Sequence, residues 1–179
     1  NVSIYWSTNG YIFILYKKTN EVGKWMLDAL SKGAIIMKLI IAEKPDQGTT
    51  LASIFKNKKQ NGFIEIFPNE TFPNGAYVTW AIGHLCQLVN PETYEPGWKK
   101  WSLDNLPMIP AQFQYEVTKD KVKQFSVIQK LVNNPAVTEI IHAGDAGREG
   151  ALIIRNILRI TGCKKPMKRL RISSLTANS

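Results

Sequence analysis

The chain has 179 residues and 44% hydrophobic content, enough to bury the core of one domain of ordinary size. Its 23 Lys and Arg against 14 Asp and Glu leave a net charge of +9, which suits a nucleic-acid partner, although basic surface by itself is often merely solvated. No apolar run approaches the roughly 18 residues of a membrane span, residues 11–16 lack the flanks of a signal peptide, and no CxxC pair accompanies Cys86 and Cys163. A membrane protein, a zinc ribbon and a disulfide scaffold are argued against, and a cytoplasmic protein with reduced thiols is expected.

Residues 11–16 form a plausible first strand, and residues 20–30 a helix with Val22, Trp25, Met26, Ala29 and Leu30 at its apolar positions. An apolar strand at 38–42 then runs straight into Glu43-Lys44-Pro45. Pro45 stops that strand, and Asp46 or Thr49 is expected to cap a helix over 47–56 that uses Leu51, Ile54 and Phe55. Strands follow at 63–67 and 77–82, and the Pro/Asn/Gly-rich connection 68–75 makes them a hairpin. Residues 90–114 contain six Pro or Trp and would be long for a structureless loop, so they are expected to be functional or packed over the sheet. A helix at 119–133, a strand at 138–143, a helix at 148–161 and a strand at 169–172 complete the series. Strands alternating with helices predict an α/β fold, a mostly parallel sheet with helices on both faces, made mixed by the β-hairpin insertion.

The turn His142-Ala143-Gly144-Asp145-Ala146-Gly147-Arg148-Glu149-Gly150 separates the 138–143 strand from the helix after it. In open α/β sheets ligands bind beyond the carboxyl ends of parallel strands, where small residues let a phosphate come close and an acid can hold a metal ion. Glu43 occupies the same kind of junction, so Glu43 and Asp145 are expected to share one sheet edge. Taken singly, each acid reads equally as a helix cap or a solvated turn residue. Lys44 and Arg148 flank the acids and suit a phosphate clamp, or an ion pair with those same acids. Glu149 falls in the first helical turn, where the macrodipole favours an anion by ~0.3–1 kcal/mol, so structural and ligand roles are both open. His84, preceded by Gly83, suits either a phosphate contact or a structural histidine. Trp101 lies beside Lys99 and Lys100 and either stacks a base, worth ~1–3 kcal/mol, or packs under its loop. Lys164, Lys165, Lys168, Arg169 and Arg171 crowd the last strand.

Strand-Glu43-Lys44-Pro45 followed by Gly144-Asp145-x-x-Arg148-Glu149-Gly150 resembles the Toprim domain of type IA DNA topoisomerases, the bacterial topoisomerase III group in particular. Residues 78–85 (Val-Thr-Trp-Ala-Ile-Gly-His-Leu), Trp101-Ser102-Leu103, residues 106–110 and residues 171–176 match that family in order. The resemblance implies a Toprim-like (Rossmann-like) fold over residues 37–179, with residues 1–36 an N-terminal extension of unknown role. It implies Mg2+ bound by Glu43, Asp145 and Glu149 at a DNA cleavage site. Glu43, Lys44 and Arg148 would be catalytic, with Glu43 as acid and base, and Lys44, His84, Trp101 and Arg148 would contact DNA, chiefly single-stranded. The implied activity is magnesium-dependent, ATP-independent cleavage of one strand, strand passage and religation. In that family the attacking tyrosine lies in a Tyr-Pro-Arg-Thr-like motif of another domain. None of Tyr5, Tyr11, Tyr16, Tyr77, Tyr94 and Tyr115 has that context. The chain is therefore expected to be a fragment that does not cut DNA alone and acts with the remaining domains of the same topoisomerase.

Gly147 and Ala151 stand where the fuller Asp-x-Asp-x-Glu-Gly-Glu pattern has acids, so weaker metal binding is expected in the absence of DNA. Magnesium keeps several waters and needs only one or two protein carboxylates, so Glu43 and Asp145 can suffice. Two other readings compete. A Toprim-type primase or nuclease would use similar acids but leaves residues 83–85, 106–110 and the Trp-rich stretch unexplained, and a downstream Tyr-Pro-Arg-Thr would decide against it. A degenerate, non-catalytic nucleic-acid-binding domain would bind DNA without metal, unchanged by Glu43→Gln.

Overall fold

The computed structural model describes residues 2–6, 12–16 and 36–171, and contacts divide the chain into two compact units, Asn1–Ile35 and Ile36–Ser179. In the first unit Val2–Trp6 (β1) and Ile12–Tyr16 (β2) pair as antiparallel strands. The helix expected over 20–30 and the residues from 172 onward lie outside the described residues.

The second unit begins with Met37–Ala42 (β3) and Pro45–Ser53 (α1), followed by Asn57–Gln60 (β4), Phe63–Ile66 (β5) and Ala76–Trp80 (β6). Cys86–Leu88 (β7), the short helix Pro91–Tyr94 (α2) and Tyr115–Val117 (β8) come next. Val122–Val132 (α3), Val137–Ala143 (β9), Arg148–Ile160 (α4) and Met167–Arg169 (β10) close the series. Six strands form one sheet in the order β10-β9-β3-β6-β5-β4. The first four run parallel, and β5 and β4 are added antiparallel. The mixed α/β sheet expected from the sequence is the one observed.

Strand β3 is central and buried on both faces, which is why it reads as a continuous apolar run rather than an alternation. Leu39 and Ile41 join Ile128 of α3 and Ile153, Ile154 and Ile157 of α4 in one cluster. Ile40, one residue out of phase, joins Ile64, Ile66, Val78 and Ala52 of α1 in the other. Helices therefore cover both faces, and the period of two along β3 assigns each side chain to its layer.

Three local features depart from the sequence reading. Strand β4 was not anticipated, although Asn61-Gly62 between two short runs is a strong signal for a two-residue hairpin turn, and Gln60 pairs with Phe63 across it. Gly62 has φ +84, a conformation glycine adopts without the strain a side chain would add. Helix α1 starts earlier than 47 because Pro45, with its φ already fixed, occupies the first helical turn. No side chain caps it, and Thr49 Oγ1 instead donates to the Pro45 carbonyl at 3.0 Å. Strand β10 ends at Arg169, earlier than expected.

The excursion at 89–114 is ordered without being regular. β7 and β8 pair antiparallel at its base, and α2 and two single-turn helices, Pro96–Lys99 and Leu103–Asn105, lie within it. Asn105 Nδ2 donates to the Gly97 and Lys100 carbonyls at 3.0 and 2.9 Å, and Tyr94, Trp98, Met108 and Phe113 line an apolar cavity of ≈ 300 Å³.

Candidate active site

Parallel pairing of β3 and β9 ends in register, Ala42 beside Ala143, so the chain leaves both strands at the same edge. The two junctions expected to carry a site therefore lie side by side. Glu43 is only 7% exposed, and its Oε2 accepts the backbone N–H of Asp145 at 2.9 Å. Such an amide-to-carboxylate bond compensates a buried acid and ties the two junctions together.

Each polar group of Asp145 has a partner. Its Oδ1 accepts from Gln47 Nε2 at 3.1 Å, its Oδ2 from Lys44 Nζ at 3.0 Å, and its carbonyl from Arg169 Nη2 at 2.6 Å. Gln47 is buried and also accepts the Glu43 N–H through Oε1 at 2.9 Å, so one amide side chain in the first turn of α1 orients both acids. Lys44 Nζ lies 3.8 Å from Glu43 Oε1 as well. The hydrogen bond and charge of Asp145, followed by the charge of Glu43, raise the Lys44 pKa. The ammonium thus bridges two carboxylate oxygens at the mouth of the site.

Space as well as bonding dictates the residues around the acids. A Cβ on Gly150 would collide with Glu43 Oε2 and lie 2.8 and 2.9 Å from the backbone N and O of Asp145. Beneath the turn, His142 is fully buried, with Nδ1 accepting the Gly144 N–H at 3.1 Å and Nε2 3.1 Å from Arg169 Nη1. A neutral imidazole accepts at one nitrogen only, so one of these is a hydrogen bond and the other a close contact. Burial first, then the Arg169 charge, lowers the His142 pKa, and the ring is neutral near pH 7.

The remaining expected residues lie outside this core. Arg148 is exposed at the start of α4. Glu149 sits in the first turn of that helix with its side chain 74% exposed, and its Oε1 lies 3.3 Å from His84 Nε2. His84 is itself exposed rather than buried as a structural histidine. Among the described residues no group of three His, Cys, Asp or Glu side chains is gathered to hold a metal ion, so Glu43, Asp145 and Glu149 do not form a single three-carboxylate cluster. Trp101 is 76% exposed on the 89–114 excursion and is not packed beneath it. The sequence reading missed three contributors. Gln47 had a usable signal, four residues after Glu43 on the turn that faces back to it. His142 shares the inward phase of Ile140 in β9. Arg169 was noticed only as part of a basic cluster, and its contact depends on β10 pairing beside β9.

The donor set, two carboxylates at one edge, suits one divalent cation. Glu43 Oε1 and Asp145 Oδ2 already converge on a cation, the Lys44 ammonium, and two carboxylates with water satisfy magnesium.

Such an edge, with two acids at adjacent parallel strand ends, places the site where open α/β domains bind their ligands. Residues 38–175 match the Toprim domain family, and the chain belongs to it. It is 47% identical over 140 residues to DNA topoisomerase 3 of Staphylococcus saprophyticus, covering 77% of this chain and 18% of that protein. It is 44% identical over 139 residues to DNA topoisomerase 3 of Staphylococcus epidermidis, covering 77% of this chain and 19% of that protein, and 41% identical over 140 residues to that of Shouchella clausii. The chain thus spans less than a fifth of the length of these relatives.

Proposed function

We propose that this chain is the acid/base and metal-binding part of a type IA topoisomerase of the topoisomerase 3 kind, acting in magnesium-dependent, ATP-independent cleavage, passage and religation of single DNA strands. Convergence of Glu43 Oε1 and Asp145 Oδ2 on one ammonium, at 3.8 and 3.0 Å, is the observation that carries this reading. The family match, and relatives whose name is DNA topoisomerase 3, give it its substrate class. The same proposal includes the division into residues 1–36, an extension without an assigned role, and residues 37–179, a Toprim domain working with further domains that supply the tyrosine. It also includes a cytoplasmic setting.

In this reading Oε1 is the Glu43 oxygen left to take up a proton or to meet a cation, one at a time, because Oε2 is committed to the Asp145 amide. As the tyrosine hydroxyl gives its proton to solvent and its oxygen bonds to phosphorus, the bond to the 3′-oxygen breaks and Glu43 donates its proton to that oxygen. On religation Glu43 takes a proton back from the 3′-hydroxyl, and the released tyrosine oxygen regains one from solvent. Mg2+ held by Glu43 and Asp145 would supply charge neutralisation at the phosphate. Lys44 and Arg148 clamp the phosphate, assisted by the backbone N–H groups at the start of α4. His84 and Glu149, an exposed pair, act at the rim, with His84 on a neighbouring phosphate and Glu149 organising water around the metal. Trp101 stacks a base further along the strand.

The experiment is a titration of Mg2+ and Mn2+ by calorimetry, with and without a short single-stranded oligonucleotide, on the parent chain and on Asp145→Asn. Metal binding that needs Asp145 and tightens with DNA supports the proposal. The absence of a three-acid cluster favours one alternative, a domain that only binds nucleic acid. Oligonucleotide binding indifferent to metal, to Asp145→Asn and to Glu43→Gln would establish that alternative instead.

A further inference from the structure

We propose that Arg169, on the edge strand β10, is a positioning residue that sets the direction of the Asp145 carboxylate. The proposal rests on the reading of Glu43 and Asp145 given above. Residues 143–147 include Gly144 and Gly147, a composition with large conformational freedom unless it is pinned. The pins act on consecutive peptide groups. Glu43 Oε2 holds the N–H on one side of Asp145, and Arg169 Nη2 holds the carbonyl on the other at 2.6 Å. Because each peptide group is planar, fixing both neighbours fixes the two soft dihedrals of Asp145 and so the direction in which its side chain leaves the backbone. Gln47 and Lys44 then complete a geometry that the backbone has already chosen.

Arginine suits this place for a physical reason. Arg169 pairs beside His142 in the β10–β9 ladder, and Leu170 N–H donates to the His142 carbonyl at 2.9 Å, so its backbone is anchored one strand away from the turn. From there the planar fork places Nη1 3.1 Å from the buried His142 ring and Nη2 on the Asp145 carbonyl. A lysine has one nitrogen in place of these two and lacks the rigid fork. Arg169 touches neither the Glu43 nor the Asp145 carboxylate in this arrangement, so it acts through Asp145 rather than on substrate.

The test is residue-resolved amide hydrogen exchange on the full 179-residue chain, comparing the parent with Arg169→Gln and Arg169→Lys, with Mn2+ binding measured by calorimetry on the same samples. The expected result is that the Asp145 amide exchanges at least about tenfold faster in Arg169→Gln and by an intermediate factor in Arg169→Lys, while amides within β3 and β9 keep their parent rates. Mn2+ affinity should fall in the same order. An Asp145 amide equally protected in all three proteins overturns the proposal, as does a uniform acceleration through β3 and β9, which would make Arg169 a purely structural edge residue. Should Arg169→Gln fail to fold, the lysine variant alone decides, since parental Asp145 protection in it overturns the fork argument. A parent chain that binds no Mn2+, with Asp145 still released selectively in the variants, refutes the metal reading and leaves the positioning role standing.

Discussion

Lys44 holds two carboxylates that a divalent ion would also use, so the ammonium and the metal compete for the same oxygens. Replacing it with an isosteric apolar chain separates its two contributions. Lys44→Met should tighten Mn2+ binding to the free protein several-fold, because the competing cation is gone. The same change should weaken oligonucleotide binding, because a phosphate partner is lost. Parallel calorimetry and fluorescence anisotropy check the opposite signs, and movement of both affinities in one direction would refute the competition. His142 gives a pH prediction. Its folded pKa lies below the ordinary value of 6.5 through burial and the Arg169 charge, so the unfolded chain binds more protons in that window. Its contribution to stability is present above about pH 6.5 and is lost as pH falls toward the lowered folded value. Melting temperature should therefore drop as pH is lowered from 7 toward 5, and the drop should be shallower in His142→Gln.

Among the elements, the turn of the hairpin β4–β5, whose strand β5 is already paired with β6, is tied to α3 by one buried side chain. Gln124 of α3 donates through Nε2 to the Gly62 carbonyl at 3.1 Å and the Trp80 carbonyl at 2.8 Å, with Thr79 Oγ1 at 3.3 Å. Truncating it takes the donor from the part-buried Trp80 carbonyl, while Gly62 keeps Thr79 Oγ1 at 2.9 Å, so Gln124→Ala should cost about 1–3 kcal/mol in urea unfolding, with the m-value unchanged. Loss of only a few tenths would mean that water replaces the amide. What was legible at this scale follows from pattern strength. β3, β9 and α4 carry long apolar runs with clear periods, and their bounds were read to within a residue or two. Strands β7 and β8 have three residues each, too few for any period to emerge, and their pairing joins positions about thirty residues apart. At the site, Glu43, Lys44 and Asp145 were legible because chain order puts acids at strand ends. Gln47 was missed although its spacing of four from Glu43 was there to read, whereas the contacts of His142 and Arg169 with each other and with the Asp145 turn arise only when β10 pairs beside β9.

For the whole molecule, a net charge of +9 overstates the positive surface offered to a strand of DNA. Lys165 Nζ donates to the Asn134 carbonyl at 2.6 Å, Lys168 Nζ lies 2.8 Å from Glu139, and Arg169 serves the Asp145 turn, so three of the five basic residues near β10 are spent on internal contacts. On the proposed reading the phosphate partners are Arg148 at the sheet edge, exposed Lys99 and Lys100 beside Trp101, and Lys44 once a metal ion displaces it from its two carboxylates. About four such contacts predict a slope of log K against log salt of about −3 for single-stranded DNA, since each contributes about 0.7. The double change Lys99→Gln and Lys100→Gln should flatten that slope by about 1.4. Trp101→Ala removes stacking rather than charge. It should lower affinity by about 1–3 kcal/mol at every salt concentration and leave the slope unchanged. Anisotropy titrations at several salt concentrations separate the two kinds of contact. A slope unaffected by the lysine pair would move the DNA path away from the 89–114 excursion, and a Trp101→Ala variant with parental affinity would leave that exposed ring without a part in binding.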